Sequence, residues 1–349
     1  MKKPYLSIII PAYNASASLG KLLASIASSS YKNFEVIVGD DASQQQLSIF
    51  NLPAGKAGFQ FSNKRKKFPL KIVRLTRNRG PAAARNAAVK RARGDVLVFL
   101  DADVSVYRET LATIAAKFKE DHDLTAVTGV WDKHQHTRAF FPQFKAMRDW
   151  SYWTNERDRD GYYYLFSTRV AAIRRVVFTR LGGFNEAFRQ MEDVEFTYRI
   201  AKRYAIIFSP DVRVHHEFEG FWPVARKYFW RSYYWAKLYK ARRKFDPVAT
   251  TMSETIVAVT GVAALGFLGL GFGFAGVATI LRYSVLFQVS ILSFQMAMLL
   301  FITHVLLLWK FLWFVYSEKG IGFAIKSLGI GLVLYTIILS GAAYYQLRK

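Results

Sequence analysis

The sequence predicts an α/β domain built on a doubly wound parallel sheet, followed by about three transmembrane helices. Segments with strand and helix patterns alternate from Leu6 to Lys119, and such alternation is typical of a parallel sheet covered by helices. Almost all of the long uncharged runs lie after Glu254. At 349 residues the chain exceeds one ordinary domain, so the two patterns indicate two parts.

Four strands and three helices are predicted in the first part. The strand patterns are LSIII, FEVIVG, KIVRLT and DVLVFL. The first helix has an apolar face formed by Leu19, Leu22, Leu23 and Ile26. The second begins at Pro81, which suits the first turn of a helix, and the third reads RETLATIAAKFK. The order strand, helix, strand, strand, helix, strand, helix predicts the doubly wound sheet.

Polar residues follow each of the four predicted strands. They are Tyr13 and Asn14, Asp40 and Asp41, Asn78 and Arg79, and Asp101 and Asp103. Ligands of doubly wound sheets gather at the carboxyl ends of the strands. Each cluster also has a structural interpretation as a helix cap or a turn, but four of them on one edge favour a binding site.

The pair Asp101 and Asp103 suits a hard divalent cation. Mg²⁺ and Mn²⁺ take oxygen ligands, usually a few from the protein and the rest from water or substrate phosphates. Neither G-x-x-x-x-G-K-[ST] nor G-x-G-x-x-G follows a predicted strand. The sequence therefore predicts that a metal ion, with Arg79 or Arg85 nearby, holds a diphosphate.

Three apolar runs predict transmembrane helices, since about 20 apolar residues cross the hydrocarbon core. They extend over about 255–281, 283–309 and 325–347, within a membrane domain of 253–349. His304 interrupts the second run, and Lys326 lies near the start of the third, where its side chain can reach the interface. Buried core helices are the alternative, but three in succession at this length favour membrane spans.

The chain carries 49 Lys+Arg against 25 Asp+Glu, and +20 of its net charge of +24 precedes the membrane domain. The positive-inside rule therefore predicts a multi-pass protein of the cell (inner or plasma) membrane with its large N-terminal part in the cytoplasm. The start MKKPYLSIII has too short an apolar stretch for a signal peptide. Arg348 and Lys349 would then lie outside, which mildly opposes the rule.

Residues 221–252 are predicted to form an amphipathic segment at the membrane surface. Basic and aromatic residues alternate in FWPVARKYFWRSYYWAKLYKARRKF, just before the first span. Such segments lie at the headgroup level and attract anionic lipids. Stacking on a single-stranded nucleic acid is the alternative, but adjacency to the membrane favours lipids and no nucleic-acid partner. The basic insertion 44–70 is predicted to be a solvated loop.

Six motifs occur in order within the first two thirds of the chain. They read SIIIPAYN, VIVGDDAS, TRNRGPAAARNAAV, VFLDADV, LGGFNE and QMEDVEFTYRI. In this order and at this spacing they resemble the cytosolic catalytic domain of family 2 glycosyltransferases. The resemblance implies a GT-A fold over 1–220. The C-terminal spans resemble those of membrane-anchored members that glycosylate lipid carriers or build polysaccharide.

The resemblance also implies how the donor is bound. The nucleoside is expected to contact the segment and strand end formed by Pro11, Ala12, Tyr13, Asn14, Asp40 and Asp41. The diphosphate is expected beside Asn78, Arg79, Gly80, Arg85 and Asn86. The ribose and metal are expected at Asp101, Ala102 and Asp103, with Asp103 the more direct metal ligand.

Two further pairs have implied roles. His215 or His216 matches a position that helps to hold the metal in some GT-A enzymes, although the pair could equally be structural. Glu192 and Asp193 match an acidic motif whose aspartate is the catalytic base. Acidic residues in the first turn of a helix also complement its dipole, which is the structural alternative.

These expectations describe an inverting glycosyltransferase that moves a sugar from a UDP- or GDP-sugar to polyprenyl phosphate, a glycolipid or a membrane-proximal glycan. A processive polysaccharide synthase is the alternative, but such enzymes usually carry Q-x-x-R-W and this chain reads FWRSYYW. A nucleotidyltransferase would show a glycine-rich loop where PAYNAS stands. An inactive membrane scaffold would be expected to have broken the acidic set, which is intact.

Overall fold

The structure is a computed structural model that describes residues 5–45, 68–157, 161–243, 245 and 251–348. The chain divides into two units, Met1–Phe218 and Glu219–Lys349. The four consecutive basic residues of the predicted 44–70 insertion, 64–67, lie outside the described residues.

The described part of the first unit contains one mixed sheet and six helices. The strands are β1 (Leu6–Ala12), β2 (Phe34–Asp40), β3 (Leu70–Arg74), β4 (Val96–Leu100), β5 (Val104–Val106), β6 (Ala126–Trp131), β7 (Val170–Arg174) and β8 (Ile206–His216). The helices are α1 (Ser16–Ala27), α2 (Pro81–Val89), α3 (Thr110–Glu120), α4 (Phe140–Thr154), α5 (Arg175–Arg180) and α6 (Glu192–Ala201). The strand order across the sheet is β3-β2-β1-β4-β7-β6-β8-β5.

The four strands predicted from the sequence form the parallel half of this sheet. β1 pairs in parallel with β2 and β4, and β2 pairs in parallel with β3. β2 and β4 are buried throughout, as expected for strands covered on both faces. A Cβ on Gly39 would lie 2.2 Å from the carbonyl oxygen of Ala84, so glycine allows α2 to pack against β2. The carboxyl ends of these strands lie along one edge of the sheet.

The other half of the sheet is not expected from the sequence patterns above. β7 runs antiparallel to β4 and β6, while β8 runs parallel to β6 and antiparallel to β5. Val104 of β5 is opposite His216, and Ser105 is opposite His215. This pairing brings the segment just after Asp103 beside the two histidines predicted for the metal.

The described part of the second unit is helical. It contains α7 (Phe221–Arg242), α8 (Met252–Leu281), α9 (Ser284–Leu307), α10 (Trp309–Lys319) and α11 (Ile321–Leu347). α8, α9 and α11 are long and apolar enough to cross a membrane, and they overlap the three predicted spans. α7 covers most of the predicted amphipathic segment, 221–252.

Close contacts between the helices of this unit depend on small residues and one histidine. A Cβ on Gly341 of α11 would lie 2.2 Å from the carbonyl oxygen of Phe229, so glycine permits the contact with α7. His304 of α9 is buried, and its Nδ1 lies 2.9 Å from the carbonyl oxygen of Val257 in α8. Small residues at helix contacts and polar links between helices are typical of membrane bundles.

Candidate active site

Asp40 is the last residue of β2 and is fully buried. One carboxylate oxygen accepts hydrogen bonds from the backbone N–H of Ser43 at 3.0 Å and from its hydroxyl at 2.5 Å. The other oxygen accepts from the Arg74 guanidinium at 2.9 Å. Both oxygens are engaged within the protein, so Asp40 stabilises the turn after β2. A contact with the donor nucleoside stays a prediction.

Asp41 holds the loop that leads into α2. Its two oxygens accept hydrogen bonds from the backbone N–H groups of Arg79 at 2.7 Å and Gly80 at 2.8 Å. Gly80 has a φ of 91°, in the left-handed region that favours glycine, and Pro81 follows as the first residue of α2. The 78–80 loop, predicted to lie beside the donor diphosphate, is therefore anchored to the end of β2.

The loop after β1 is joined to the loop after β2. The backbone N–H of Asn14 donates to the Ser43 hydroxyl at 3.0 Å, and the Asn14 side-chain oxygen accepts from the N–H of Gln44 at 2.8 Å. Tyr13 is 48% exposed. The predicted nucleoside segment, 11–14, thus lies against the turn after β2 and leaves an aromatic side chain open to solvent.

Arg85 connects two of the predicted groups of site residues. It lies on α2, and only 3% of its surface is exposed. Its guanidinium donates to the Asp101 carboxylate at 2.7 Å and to the Glu192 carboxylate at 2.6 Å. One buried cation therefore links the aspartate pair predicted for the metal to the acidic pair predicted for catalysis.

The charges around Arg85 are not balanced. Burial acts to lower the pKa of Arg85, but Asp101 and Glu192 outweigh it and raise this pKa above its ordinary value. Burial raises the pKa of Asp101; Arg85 opposes the rise and Asp103 adds to it. Burial also raises the pKa of Glu192, again opposed by Arg85 and increased by Asp193. A single arginine thus offsets only part of the negative charge of this cluster.

His216 lies beside Asp103. Its Nε2 is 3.3 Å from an Asp103 carboxylate oxygen, a contact that the pairing of β5 with β8 produces. The imidazole packs against Trp131 and Phe218, with ring centroids 5.0 Å and 4.7 Å away. A nitrogen donor and a carboxylate donor therefore meet next to Asp101.

His215 has different neighbours. Its Nε2 is 2.8 Å from a Glu217 carboxylate oxygen, and the Nδ1 of His136 contacts the same oxygen. The sequence prediction named either histidine for the donor metal, and the structure separates them because successive side chains of a strand point to opposite faces. His216, not His215, is the one beside Asp103.

Asn86 and Arg79 contact the turn that contains the LGGFNE motif. The Asn86 side-chain amide donates to the Phe184 carbonyl at 2.8 Å and to Glu186 at 3.0 Å, and Arg79 donates to Glu186 at 2.5 Å. Gly183 has a φ of 71°, and a Cβ there would lie 2.8 Å from the Asn86 side-chain oxygen. The motif therefore fastens this turn to α2, and contacts of Asn86 and Arg79 with the diphosphate stay a prediction.

Glu192 and Asp193 begin α6, directly after Met191, whose φ is 67°. Glu192 is buried, whereas Asp193 is half-buried. One Asp193 carboxylate oxygen accepts from the N–H of Val194 at 2.8 Å. Asp193 is therefore the member of the pair with access to solvent, and its role as the catalytic base stays a prediction.

The residues at this edge fit a divalent cation. Asp101 and Asp103 offer carboxylate oxygens, the ligands that suit Mg²⁺ and Mn²⁺, and His216 offers a nitrogen. A cation would also offset the negative charge that Arg85 leaves uncompensated, since an opposite charge nearby favours ionised carboxylates. The donor set therefore agrees with the predicted metal.

Some of these contacts are not visible in the sequence motifs. Arg85 is 16 residues from Asp101 and 107 from Glu192, and no spacing rule predicts that they pair. His136 and Glu217 are also absent from the predicted site. The patterns HQH at 134–136 and HHE at 215–217 are the available signal for them.

Comparison with known proteins gives one family. Residues 7–233 match the family described as Glycosyl transferase family 2. An uncharacterized glycosyltransferase of Haemophilus influenzae is 24% identical over 200 residues, which cover 56% of this chain and 61% of the relative. The poly(ribitol-phosphate) beta-N-acetylglucosaminyltransferase TarS of Staphylococcus aureus is 36% identical over 120 residues, 33% of this chain and 19% of the relative. This chain spans about three fifths or less of the length of these relatives.

A solved structure has a similar fold. The mannosyltransferase PcManGT of Pyrobaculum calidifontis, in complex with GDP-Man and Mn²⁺, aligns with a TM-score of 0.58 at 20% identity, covering 100% of this chain and 89% of that chain. The GT-A fold expected from the motifs is confirmed. Since the family match extends over more than half of its residues, this chain belongs to glycosyl transferase family 2.

Proposed function

We propose that this protein is a membrane-anchored inverting glycosyltransferase. It transfers a sugar from a nucleotide-diphosphate sugar to a lipid-linked acceptor or to a glycan near the membrane. The observation that carries the proposal is the cluster in which buried Arg85 joins Asp101 to Glu192. Asp103 lies two residues after Asp101, and Asp193 directly follows Glu192. Both side chains extend the cluster toward solvent.

The donor is a UDP- or GDP-sugar. The GDP-Man complex of PcManGT supports a GDP-sugar, and the name of TarS supports transfer of an N-acetylglucosaminyl group. The nucleoside lies against the 11–14 segment, and the diphosphate lies beside the 78–80 loop. Arg79, whose side chain is 49% exposed, is more accessible to the phosphates than Arg85, which is enclosed by its two carboxylate partners.

Asp101, Asp103 and His216 would hold the divalent cation. When bound, such a cation stabilises the negative charge that develops on the departing diphosphate. Arg85 keeps the Asp101 carboxylate oriented and reduces its repulsion from Glu192. The buried guanidinium therefore prepares this carboxylate for its ligand without contacting the acceptor.

Asp193 is the general base. Its half-buried carboxylate removes the proton of the acceptor hydroxyl as that oxygen attacks the anomeric carbon. A single displacement of this kind inverts the anomeric configuration. Glu192 is a positioning residue rather than a base, because its carboxylate is buried against Arg85. A phosphate acceptor, which arrives already ionised, would need the base less.

The helical unit anchors the enzyme in the cell membrane with the catalytic unit in the cytoplasm. The three long apolar helices and the basic surplus before them support this orientation. α7 carries basic and aromatic residues together, for example Arg231 beside Trp230, and such a helix suits anionic headgroups. An acceptor held in the membrane, such as polyprenyl phosphate or a glycolipid, agrees with this placement.

The activity is tested with the purified full-length protein, Mn²⁺ and polyprenyl phosphate or glycolipid acceptors. Each sample receives one nucleotide sugar from a panel of UDP- and GDP-sugars, and products are identified by mass spectrometry. We expect one donor to give a product heavier by a single sugar, and Asp103→Asn to lose it. A ladder of repeated additions would instead favour a processive synthase, and no transfer to any acceptor would contradict the proposal.

The orientation is tested by single-cysteine labelling, because the chain contains no cysteine. We expect Lys319→Cys, at the end of α10, to be protected from a membrane-impermeant maleimide added outside intact cells. Tyr283→Cys, between α8 and α9, should be labelled. The reverse pattern would place the catalytic unit outside the cytoplasm.

A further inference from the structure

A second group of metal-binding side chains lies near the end of β8. His136, His215 and Glu217 each offer a ligand atom, and these three atoms lie within 4.8 Å of one another. The rings of His136 and His215 meet edge to face with centroids 4.6 Å apart. The three residues come from two separate parts of the chain, the loop after β6 and the end of β8, so tertiary structure brings them together.

This group is distinct from the donor site. His215 and His216 are consecutive residues of β8, and their side chains therefore point to opposite faces of the strand. The contacts agree with that rule, since His216 meets Asp103 at 3.3 Å while His215 meets Glu217 at 2.8 Å. A metal ion on the His215 face would thus be separated from Asp103 by the strand.

The loop that carries His136 is held in place by its neighbours. The side chain of Gln135 donates to the carbonyl of His216 at 2.7 Å and accepts from the N–H of Phe218 at 2.8 Å. The backbone N–H of His136 donates to Glu217 at 2.9 Å. These links position the imidazole of His136 against Glu217 independently of any contact made by the ring itself.

We propose that His136, His215 and Glu217 form a binding site for a divalent transition metal ion of the Zn²⁺ class, separate from the site of the donor metal. Two imidazole nitrogens and one carboxylate oxygen are a known zinc donor set with a fourth position left for water. Imidazole suits zinc, nickel and copper, whereas Mg²⁺ and Mn²⁺ prefer oxygen. The two sites therefore select different metals.

The geometry requires only small movements to accept the ion. Zn–N and Zn–O bonds of about 2.0–2.1 Å place two ligands of a tetrahedral ion about 3.4 Å apart. The observed atoms lie within 4.8 Å of one another. Each neutral imidazole can present a lone pair on the required nitrogen by carrying its proton on the other one. The His136 side chain is 83% exposed and that of Glu217 is 43% exposed, so the ion has a path from solvent.

The ion would join the loop that leads into α4 to the end of β8. His216, the next residue of β8, is a proposed ligand of the donor metal, so the zinc site would fix the strand that presents it. The role is structural support from the other face of the strand. It needs no change in the chemistry proposed for Asp101 and Asp103.

The test measures zinc binding to the full-length protein, purified without a polyhistidine tag and stripped of metals with a chelator. Zinc is titrated in competition with a chromophoric chelator, and cobalt is used as a spectroscopic substitute that reports four-coordination. We expect one tight equivalent in the wild type and in Asp103→Asn, which alters only the donor site. His136→Ala and Glu217→Gln should weaken this equivalent by at least about 100-fold.

His134→Ala is the matched control, because His134 lies in the same loop and its side chain is 75% exposed. It should keep the tight equivalent and the cobalt spectrum. If His134→Ala and His136→Ala lost zinc affinity equally, surface histidines would be chelating the zinc without a specific site, and the proposal would be overturned. Loss in Asp103→Asn, or wild-type binding no tighter than that of His136→Ala, would overturn it as well. Donor binding in His136→Ala, measured in parallel, confirms that this variant is folded.

Discussion

Buried or partly buried carboxyl groups lie at both ends of the parallel half of the sheet, and their surroundings differ. At the amino end, Glu35 of β2 is 1% exposed and accepts hydrogen bonds from the Ser7 hydroxyl at 2.9 Å and the N–H of Arg93 at 2.7 Å. At the carboxyl end, Asp101 and Glu192 share the single guanidinium of Arg85. Glu35 therefore has several donors for one carboxylate, whereas Asp101 and Glu192 are two carboxylates with one guanidinium between them.

The pKa values move in opposite directions for this reason. Burial acts to raise the pKa of Glu35, but the N–H of Arg93 and the Ser7 hydroxyl outweigh it, with help from Lys71, and the pKa falls below its ordinary value. Burial raises the pKa of Asp101 and of Glu192, and Arg85 does not reverse the change. Burial alone therefore does not mark a functional site.

The difference teaches where a ligand is expected. A carboxylate whose charge is offset by hydrogen bonds and nearby cations of the protein contributes to stability. Glu35 is of this kind, because its Oε1 accepts two hydrogen bonds and its Oε2 lies 3.5 Å from Lys71 and from Arg93. A cluster with more carboxylates than cations is electrostatically unfavourable unless a further positive charge binds. Carboxyl groups with pKa values perturbed in this way are typical of functional sites. A metal ion at Asp101 and Asp103 would supply the missing charge.

The largest expected effect is on catalysis at the solvent end of the cluster. Asp193→Asn should lower turnover by about 10²–10⁴-fold, because a general base is lost. The affinity for the nucleotide sugar should change little, since the proposed role of Asp193 is toward the acceptor. Turnover and donor affinity are measured side by side with the donor and acceptor identified by the product assay.

Glu195→Gln is the matched control for Asp193→Asn. Glu195 is a third acidic residue in the first turn of α6, so its removal also weakens the favourable interaction with the helix dipole. Glu195 accepts two hydrogen bonds from Arg199 as well, so Glu195→Gln is the structurally more demanding change. We expect its turnover to stay within a few-fold of the wild type. Equal losses of turnover in the two variants would mean that Asp193 has a structural role and is not the base. Near-normal turnover in Asp193→Asn would do so as well, unless the acceptor is a phosphate.

Arg85→Met should destabilise the catalytic unit by about 3–5 kcal/mol, because removing one partner of a buried ion pair leaves the other charges uncompensated. The lower end is expected, since the Asp101 side chain is 33% exposed. Arg79→Met is the control: in its pair with Glu186 the two side chains are 49% and 31% exposed, and the pair should contribute less than about 1 kcal/mol. Thermal unfolding of both variants measures the contrast. Equal shifts would show that Arg85 is no more than a surface cation.

Added metal should stabilise the carboxyl end selectively. With Mn²⁺ and a nucleoside diphosphate at about 100 times their apparent Kd, the unfolding free energy should rise by about 2.7 kcal/mol. Asp103→Asn should abolish this increase. Asp211→Asn, an exposed carboxylate of β8, should retain it. An increase that survives in Asp103→Asn would place the metal elsewhere.

The sequence predicts the parallel half of the sheet well, because its strands are short apolar runs that end in polar turns. Four of these turns do lie along one edge, as the topology of parallel strands requires. β5 to β8 are not predicted; β5 has only three residues, and β8 is interrupted by Pro210 and Asp211. The three long apolar helices are predicted because length and hydropathy alone define them.

The partners of the polar residues are less predictable. Asp40 and Asp41 are neighbours in the sequence, yet their partners differ. Asp40 accepts hydrogen bonds from the Arg74 side chain and the turn after β2, whereas Asp41 accepts them from the 78–80 loop. His215 and His216 separate only once β8 is known to be a strand whose faces differ. Such assignments depend on contacts between distant residues, and local patterns do not contain them.

The smallest expected effect is at the amino end of the sheet. Because folding lowers the pKa of Glu35, its stabilising contribution is present above the unfolded value of about 4.3 and is lost as pH falls through the lower folded value. Glu35→Gln keeps an acceptor oxygen but removes the charge, and hydrogen bonds to charged groups exceed neutral ones by about 1 kcal/mol. The variant should therefore be less stable at pH 7 by about that amount.

The thermal midpoint of Glu35→Gln, followed from pH 7 to pH values below about 4.3, should approach that of the wild type as Glu35 becomes protonated. Asp101 and Glu192 act with the opposite sign: their raised pKa values make their ionised forms costly at neutral pH, and the cost declines as pH falls. Glu109→Gln, at an exposed carboxylate, should match the wild type throughout. A Glu35→Gln difference that stays constant with pH would mean that packing, not the carboxylate charge, stabilises this end of the sheet.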